Sequence, residues 1–222
     1  MAFRVIPFGF CALAACSLAL SDANAEDPAA QRHMIYLHGR IVQTQQSRRP
    51  QSPEFGYYEL DQILDAFRSG DFVVSGELRP KEATVEASAE NLKDQIQDLL
   101  EEGIPPDHIT VVGASMGAAI TLLASVRLQN PNVRFCVLGA CLSKSVPAIL
   151  ADEGKSPSGL FLAIREASDD IEGSCVGWEE SGQKALGLVA RELVLHTGLK
   201  HGFLYRPLPE WVRPVMEFAA AP

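Results

Sequence analysis

The sequence predicts an α/β protein: a mainly parallel sheet of about six strands with helices on both faces. Three observations lead there. Short apolar runs recur along the chain without the period-two alternation of a half-exposed strand, which marks strands buried on both faces. Segments with apolar side chains at helical spacing fall between those runs, so strand and helix alternate throughout. Gly and Pro punctuate the joins.

In chain order, residues 34–38 form an apolar run closed by Gly39, and residues 71–75 hold Phe72, Val73 and Val74; both read as buried strands. The polar stretch 43–53 lacks periodicity and is too long for a tight turn, so a surface loop is expected, followed by a short helix over 59–68. Ser88 can cap a helix in which Leu92, Ile96, Leu99 and Leu100 recur at helical spacing, and Gly103 with Pro105 and Pro106 stops it. A strand over 109–112, a Gly-flanked turn, a helix to about residue 128 and a strand over 135–138 come next. Two further strands are expected at 160–164 and 192–195, separated by a helical segment around 181–189, and the last helix carries Trp211, Val215 and Phe218. No internal repeat or low-complexity segment interrupts this order, and no stretch is long enough for a large lid.

Of 222 residues, 47% are hydrophobic and 21% charged, the composition of a globular chain. The net charge of −9 would be repelled by phosphate backbones, so nucleic acid is not an expected partner. The dense basic run is Arg40, Arg48 and Arg49, which reads as a solvated loop. At the N-terminus, Arg4 precedes an apolar stretch from residue 5 to 20, and Ala23-Asn24-Ala25 has the small-x-small form a signal peptidase needs. The expected organisation is a signal peptide over 1–25 and one domain over 26–222, exported to the periplasm or secreted. The apolar stretch is shorter than the roughly 20 residues of a spanning helix. Leu13-Ala14-Ala15-Cys16 offers the alternative of a lipid anchor at Cys16.

Cys136, Cys141 and Cys175 lie beyond the leader. Export favours a disulfide, and Cys141 and Cys175 each follow an expected strand on the same sheet edge, whereas Cys136 lies inside its strand as a buried thiol. No pair has the close spacing of a zinc site, so no metal is expected.

Gly113-Ala114-Ser115-Met116-Gly117 falls between an expected strand and an expected helix. A nucleophile on so sharp a turn needs small residues two positions to either side, and the turn pushes the hydroxyl out of the sheet. A serine hydroxyl is a weak nucleophile, so it needs a base in hydrogen-bond reach and a partner that fixes the base's tautomer. His201 follows the last strand in a loop that Gly202 allows to be tight, with His196 as fallback; His33 and His108 read as structural.

Through Gly113 to Gly117, His38-Gly39 after the first strand and His201-Gly202 after the last, the chain resembles the α/β-hydrolase superfamily, in the manner of a small carboxylesterase. The resemblance covers residues 26–222. It implies a triad in the order Ser, acid, His, with the acid in the loop after the penultimate strand. That loop contains Glu166, Asp169 and Asp170, and the family pattern of Asp followed two positions later by an aliphatic residue selects Asp169, with Asp170 its neighbour and Glu166 a weaker candidate. Oxyanion donors map to the backbone N–H of Met116 and of Arg40, although Arg40 and Ile41 depart from the Gly-rich lipase form. Arg40 could instead hold an anionic substrate group through its guanidinium. In this family His38 reads as structural support. The implied activity is a serine hydrolase acting on small-molecule esters or thioesters through an acyl-enzyme, without cofactor. The alternatives are a peptidase on the same fold and a non-catalytic binding protein.

Overall fold

A computed structural model describes Met1 and residues 30–140, 153–171 and 189–222. The expected leader beyond Met1, with Cys16 and Ala23-Asn24-Ala25, lies outside the described residues. So do Cys141, Cys175 and the expected helical segment up to residue 188; Val189 opens a strand instead.

The chain runs β1 (Arg32–Leu37), α1 (Arg40–Gln45), β2 (Gln51–Ser52), β3 (Gly56–Tyr57), α2 (Leu60–Arg68), β4 (Phe72–Ser75) and α3 (Val85–Glu101). It continues through β5 (Ile109–Ala114), α4 (Met116–Leu128), β6 (Arg134–Leu138), β7 (Leu160–Glu166) and β8 (Val189–Leu195) to α5 (Pro209–Ala220). Among the described residues six strands form one sheet in the order β4-β1-β5-β6-β7-β8, and every neighbouring pair is parallel.

Parallel pairing buries both faces, and alternate residues divide between them. Met34, Tyr36, Val112, Cys136, Leu138, Leu162 and Ile164 pack with Leu60, Phe67, Trp211 and Val215 of α2 and α5. Ile35, Val111, Phe135, Val137, Phe161 and Ala163 pack with Leu92, Ile96, Ile120 and Leu123 of α3 and α4. Cys136 is a buried free thiol. Among the described residues no helix is long and apolar enough to cross a membrane.

Two local expectations are corrected. The stretch 43–53 is not a plain loop: α1 occupies its start, and β2 pairs antiparallel with β3 in a small hairpin just before α2. Both elements lack an apolar stripe, so the periodicity test passes over them. The cap of α3 is Thr84, whose hydroxyl accepts the Ala87 N–H at 3.1 Å; Ser88 lies buried in the first turn. Both residues suit a cap, and the extended backbone at Thr84 decides between them.

The sheet order also locates a crevice. From β1 the chain passes to β4 on one side and then returns across β1 to β5 on the other. The connections leaving the C-terminal ends of β1 and β5 therefore diverge, opening the cleft that parallel sheets use for ligands. Gly39 follows the first of these strands and Ser115 the second.

Candidate active site

Ser115 joins β5 to α4 with φ 54° and ψ −117°, a conformation that side chains other than glycine rarely adopt. Its amide donates to the Leu138 carbonyl at 2.8 Å, fastening the turn to β6. A Cβ at Gly113 would collide with the Gly117 carbonyl and the Thr121 hydroxyl, and one at Gly117 would run into the Leu37 carbonyl. Both glycines are thus required by backbone crossing backbone, which is the physical content of the motif around Ser115.

His201 sits on a 3-10 turn, Lys200–Tyr205, after β8. Its Nε2 lies 3.0 Å from Ser115 Oγ, and its Nδ1 lies 2.7 Å from Asp169 Oδ2. A carboxylate only accepts, so Nδ1 carries the proton and Nε2 faces the serine as an acceptor. The His201 and Asp169 side chains are 9% and 3% exposed. Asp169 Oδ1 also accepts the Ile171 N–H at 3.0 Å, so both oxygens are held. The structure therefore brings together the three expected residues, from the ends of β5, β7 and β8. Asp170 is exposed beside them, and His196 is exposed at the end of β8.

Glu166, the weaker acid candidate, has a different place. Its buried carboxylate accepts the Thr197 N–H and hydroxyl, both at 2.8 Å, the Ser168 hydroxyl at 3.1 Å and the Gly198 N–H at 3.3 Å. Burial alone would push its pKa up, but the Thr197 and Ser168 hydrogen bonds outweigh that and hold it at about 2. The clasp ties the loop bearing Asp169 to the loop bearing His201.

Met116 and Arg40 are the first residues of α4 and α1, whose opening amides have no acceptor within their helices. The two turns are in contact, since a Cβ on Gly39 would stand 3.6 Å from that of Ser115. Around them lies a cavity of about 480 Å³ that Ser115, Met116, His201, Gly39 and Arg40 help line, walled on the apolar side by Phe55, Tyr58, Leu204 and Tyr205. The expected solvated basic run is more ordered than a free loop: Arg48 pairs with Asp61 at 2.6 Å and Arg49 with Glu59 at 2.9 Å. The Arg40 side chain is exposed at the cavity rim.

Behind the Gly39 turn lies a buried group that sequence reasoning missed apart from His38. His38 Nδ1 donates to the Gly39 carbonyl at 2.9 Å, and its Nε2 accepts the Arg79 N–H at 3.2 Å. Arg79 Nη2 donates to the His38 carbonyl at 2.5 Å and Nε to Gln43 Oε1 at 3.1 Å. Tyr36 and Tyr58 share a hydroxyl hydrogen bond of 2.5 Å beside it. Burial, reinforced by the Arg79 charge, lowers the His38 pKa to about 4. Arg79 stands alone in a loop without periodicity, and no local signal in the sequence marks it.

Residues 71–149, from β4 through the Ser115 turn and beyond, match the family described as Phospholipase/Carboxylesterase. No curated protein matches the chain in sequence. Among solved structures, the hyperthermophilic esterase from Pyrobaculum calidifontis is similar with a TM-score of 0.55 at 16% identity, over 86% of this chain and 76% of that one. The Francisella virulence factor BioJ is similar with a TM-score of 0.59 at 11% identity, over 86% of this chain and 77% of that one. A single-substitution variant of Arabidopsis thaliana SOBER1 is similar with a TM-score of 0.53 at 16% identity, over 83% of this chain and 99% of that one. Sheet order, the turn at Ser115 and the likeness to these structures show an α/β-hydrolase fold, and within it residues 71–149 are similar to the Phospholipase/Carboxylesterase family.

Proposed function

We propose that this protein is a serine hydrolase that cleaves ester or thioester bonds of small molecules, with Ser115 as nucleophile, His201 as base and Asp169 as its orienting acid. The observation that carries the reading is the unbroken hydrogen-bond chain from Ser115 Oγ through His201 to Asp169, at 3.0 and 2.7 Å, opening on a cavity. The match to a carboxylesterase family and the likeness to esterases favour acyl esters over other substrates.

Ser115 Oγ attacks the carbonyl carbon while its proton passes to His201 Nε2, and Asp169 stabilises the imidazolium that results. The carbonyl oxygen gains a negative charge, which the N–H groups of Met116 and Arg40 receive. Collapse breaks the bond to the alcohol or thiol, which leaves with the proton from His201. Water then gives a proton to His201 and attacks the acyl carbon; collapse expels Ser115 Oγ, which recovers the proton as the carboxylic acid departs. The cavity volume suits a small or extended acyl ester.

A fluorophosphonate probe tests the reading. The wild type is expected to be labelled and Ser115→Ala not, with turnover of p-nitrophenyl esters falling by roughly 10⁴-fold or more in the variant. An unlabelled, inactive wild type would return the chain to the non-catalytic reading. We also propose export, with cleavage after Ala25; N-terminal sequencing of the periplasmic protein from a bacterial host should begin at Glu26, and a lipidated Cys16 terminus would overturn that choice.

A further inference from the structure

Arg79 is buried without a carboxylate partner among the described residues, and its Nη1 has no hydrogen-bond partner there at all. Burying a cation in this way costs stability rather than adding it. Its bonds reach the turn that follows β1 and the helix α1 that the turn opens, and Gln46 at the end of α1 donates to its carbonyl at 3.0 Å. Nη2 holds the His38 carbonyl, Nε holds Gln43 of α1, and its own N–H is received by the His38 ring.

The chemistry of those partners fixes the His38 ring. A carbonyl can only accept, so Nδ1 must donate to Gly39 O; a backbone N–H can only donate, so Nε2 must accept from Arg79. Both roles are filled by a single neutral tautomer, and protonation of Nε2 would break one of the two bonds. The Gly39 carbonyl that His38 holds belongs to the same planar trans peptide as the Arg40 N–H. Holding the oxygen on one side therefore aims the N–H on the other. The preceding peptide is held as well, at its oxygen by Arg79.

We propose that Arg79 is a positioning residue, which through His38 fixes two consecutive peptides so that the Arg40 N–H is aimed as an oxyanion donor before substrate arrives. The inference rests on the serine-hydrolase reading above. A donor held in advance lowers the barrier without changing how tightly the neutral ester binds, so its loss falls on kcat. A misdirected donor of this kind is expected to cost about 10- to 100-fold in kcat.

The test compares Arg79→Met, His38→Ala and His38→Asn with the wild type, using a p-nitrophenyl ester and a trifluoromethyl ketone that mimics the tetrahedral intermediate. The Asn amide stands where Nδ1 stood and can still donate to Gly39 O. Arg79→Met and His38→Ala are expected to lose kcat by about 10- to 100-fold with KM within about threefold of wild type, and to weaken ketone binding by the same factor as kcat/KM. His38→Asn should recover most of the loss. The double variant should lose little more than either single one, because both act on one peptide pair. Wild-type kcat in Arg79→Met, an effect confined to KM, or His38→Asn as poor as His38→Ala would overturn the proposal. If Arg79→Met fails to fold, the His38 pair decides alone. An inactive, unlabelled wild type overturns the parent reading and the proposal together, whereas an active wild type with indifferent variants overturns only the proposal.

Discussion

Gly39 sits at φ −69°, ψ 173°, an extended backbone of the kind a residue before proline adopts, and Arg40 opens α1 at the position where proline is favoured in helices. Arg40→Pro should therefore fold while removing one N–H and nothing else buried. If that N–H receives the oxyanion, kcat drops by about 10²- to 10³-fold with KM little changed. Unaltered kcat on a neutral ester would remove Arg40 from the oxyanion site. The same substitution is barred at Met116, because Ser115 before it is held at φ 54°, ψ −117°. At this scale Ser115 and His201 were legible from motif and chain order, and Asp169 from the aliphatic residue two places on. Their environment was not: the carbonyl that Arg79 grips and the amides that Glu166 accepts are long-range partners, and backbone acceptors carry no sequence signature.

Between β7 and β8 the Glu166 clasp is the element-scale device that keeps Asp169 and His201 together. Its pKa of about 2 in the folded chain lies below the ordinary 4.5, so its contribution to stability is fully present above about pH 4.5 and is lost as pH falls through about 2. The shift corresponds to about 3 kcal/mol. Glu166→Gln should lose most of that at pH 7 and show a flatter decline in urea stability between pH 4.5 and 2. An acid decline as steep as that of the wild type would place the titrating group elsewhere. The sheet strands and α2, α3 and α5 were readable from apolar period, and each strand of the six-stranded sheet begins or ends within a few residues of its expected range. In α4 no period stands out, because it is apolar on nearly every side where α3 covers the face turned from the sheet; only the Gly-flanked turn before it marks its start. The hairpin β2-β3, two residues to a strand, is too short for any period to register.

Across the whole molecule, the sheet separates two apolar layers, and the layer under α2 and α5 extends to the His201 turn. Trp211 is the link. It is fully buried, packs edge-on to Phe67 at 5.9 Å, and donates its indole N–H to the Phe203 and Arg206 carbonyls at 3.1 and 3.0 Å. Trp211 thus ties the turn that holds His201 to the last helix. Trp211→Phe keeps most of the ring volume but leaves two carbonyls without that donor, a loss of about 1–3 kcal/mol. Because the loss falls on one turn, amide exchange should accelerate at residues 200–206 well beyond the change in the β1, β5 and β6 strands, and kcat should fall as His201 leaves its geometry more often. Exchange that rises uniformly across sheet and turn would mean that Trp211 supports the fold alone, and that His201 is held by Asp169 and the Glu166 clasp without help from the C-terminal helix.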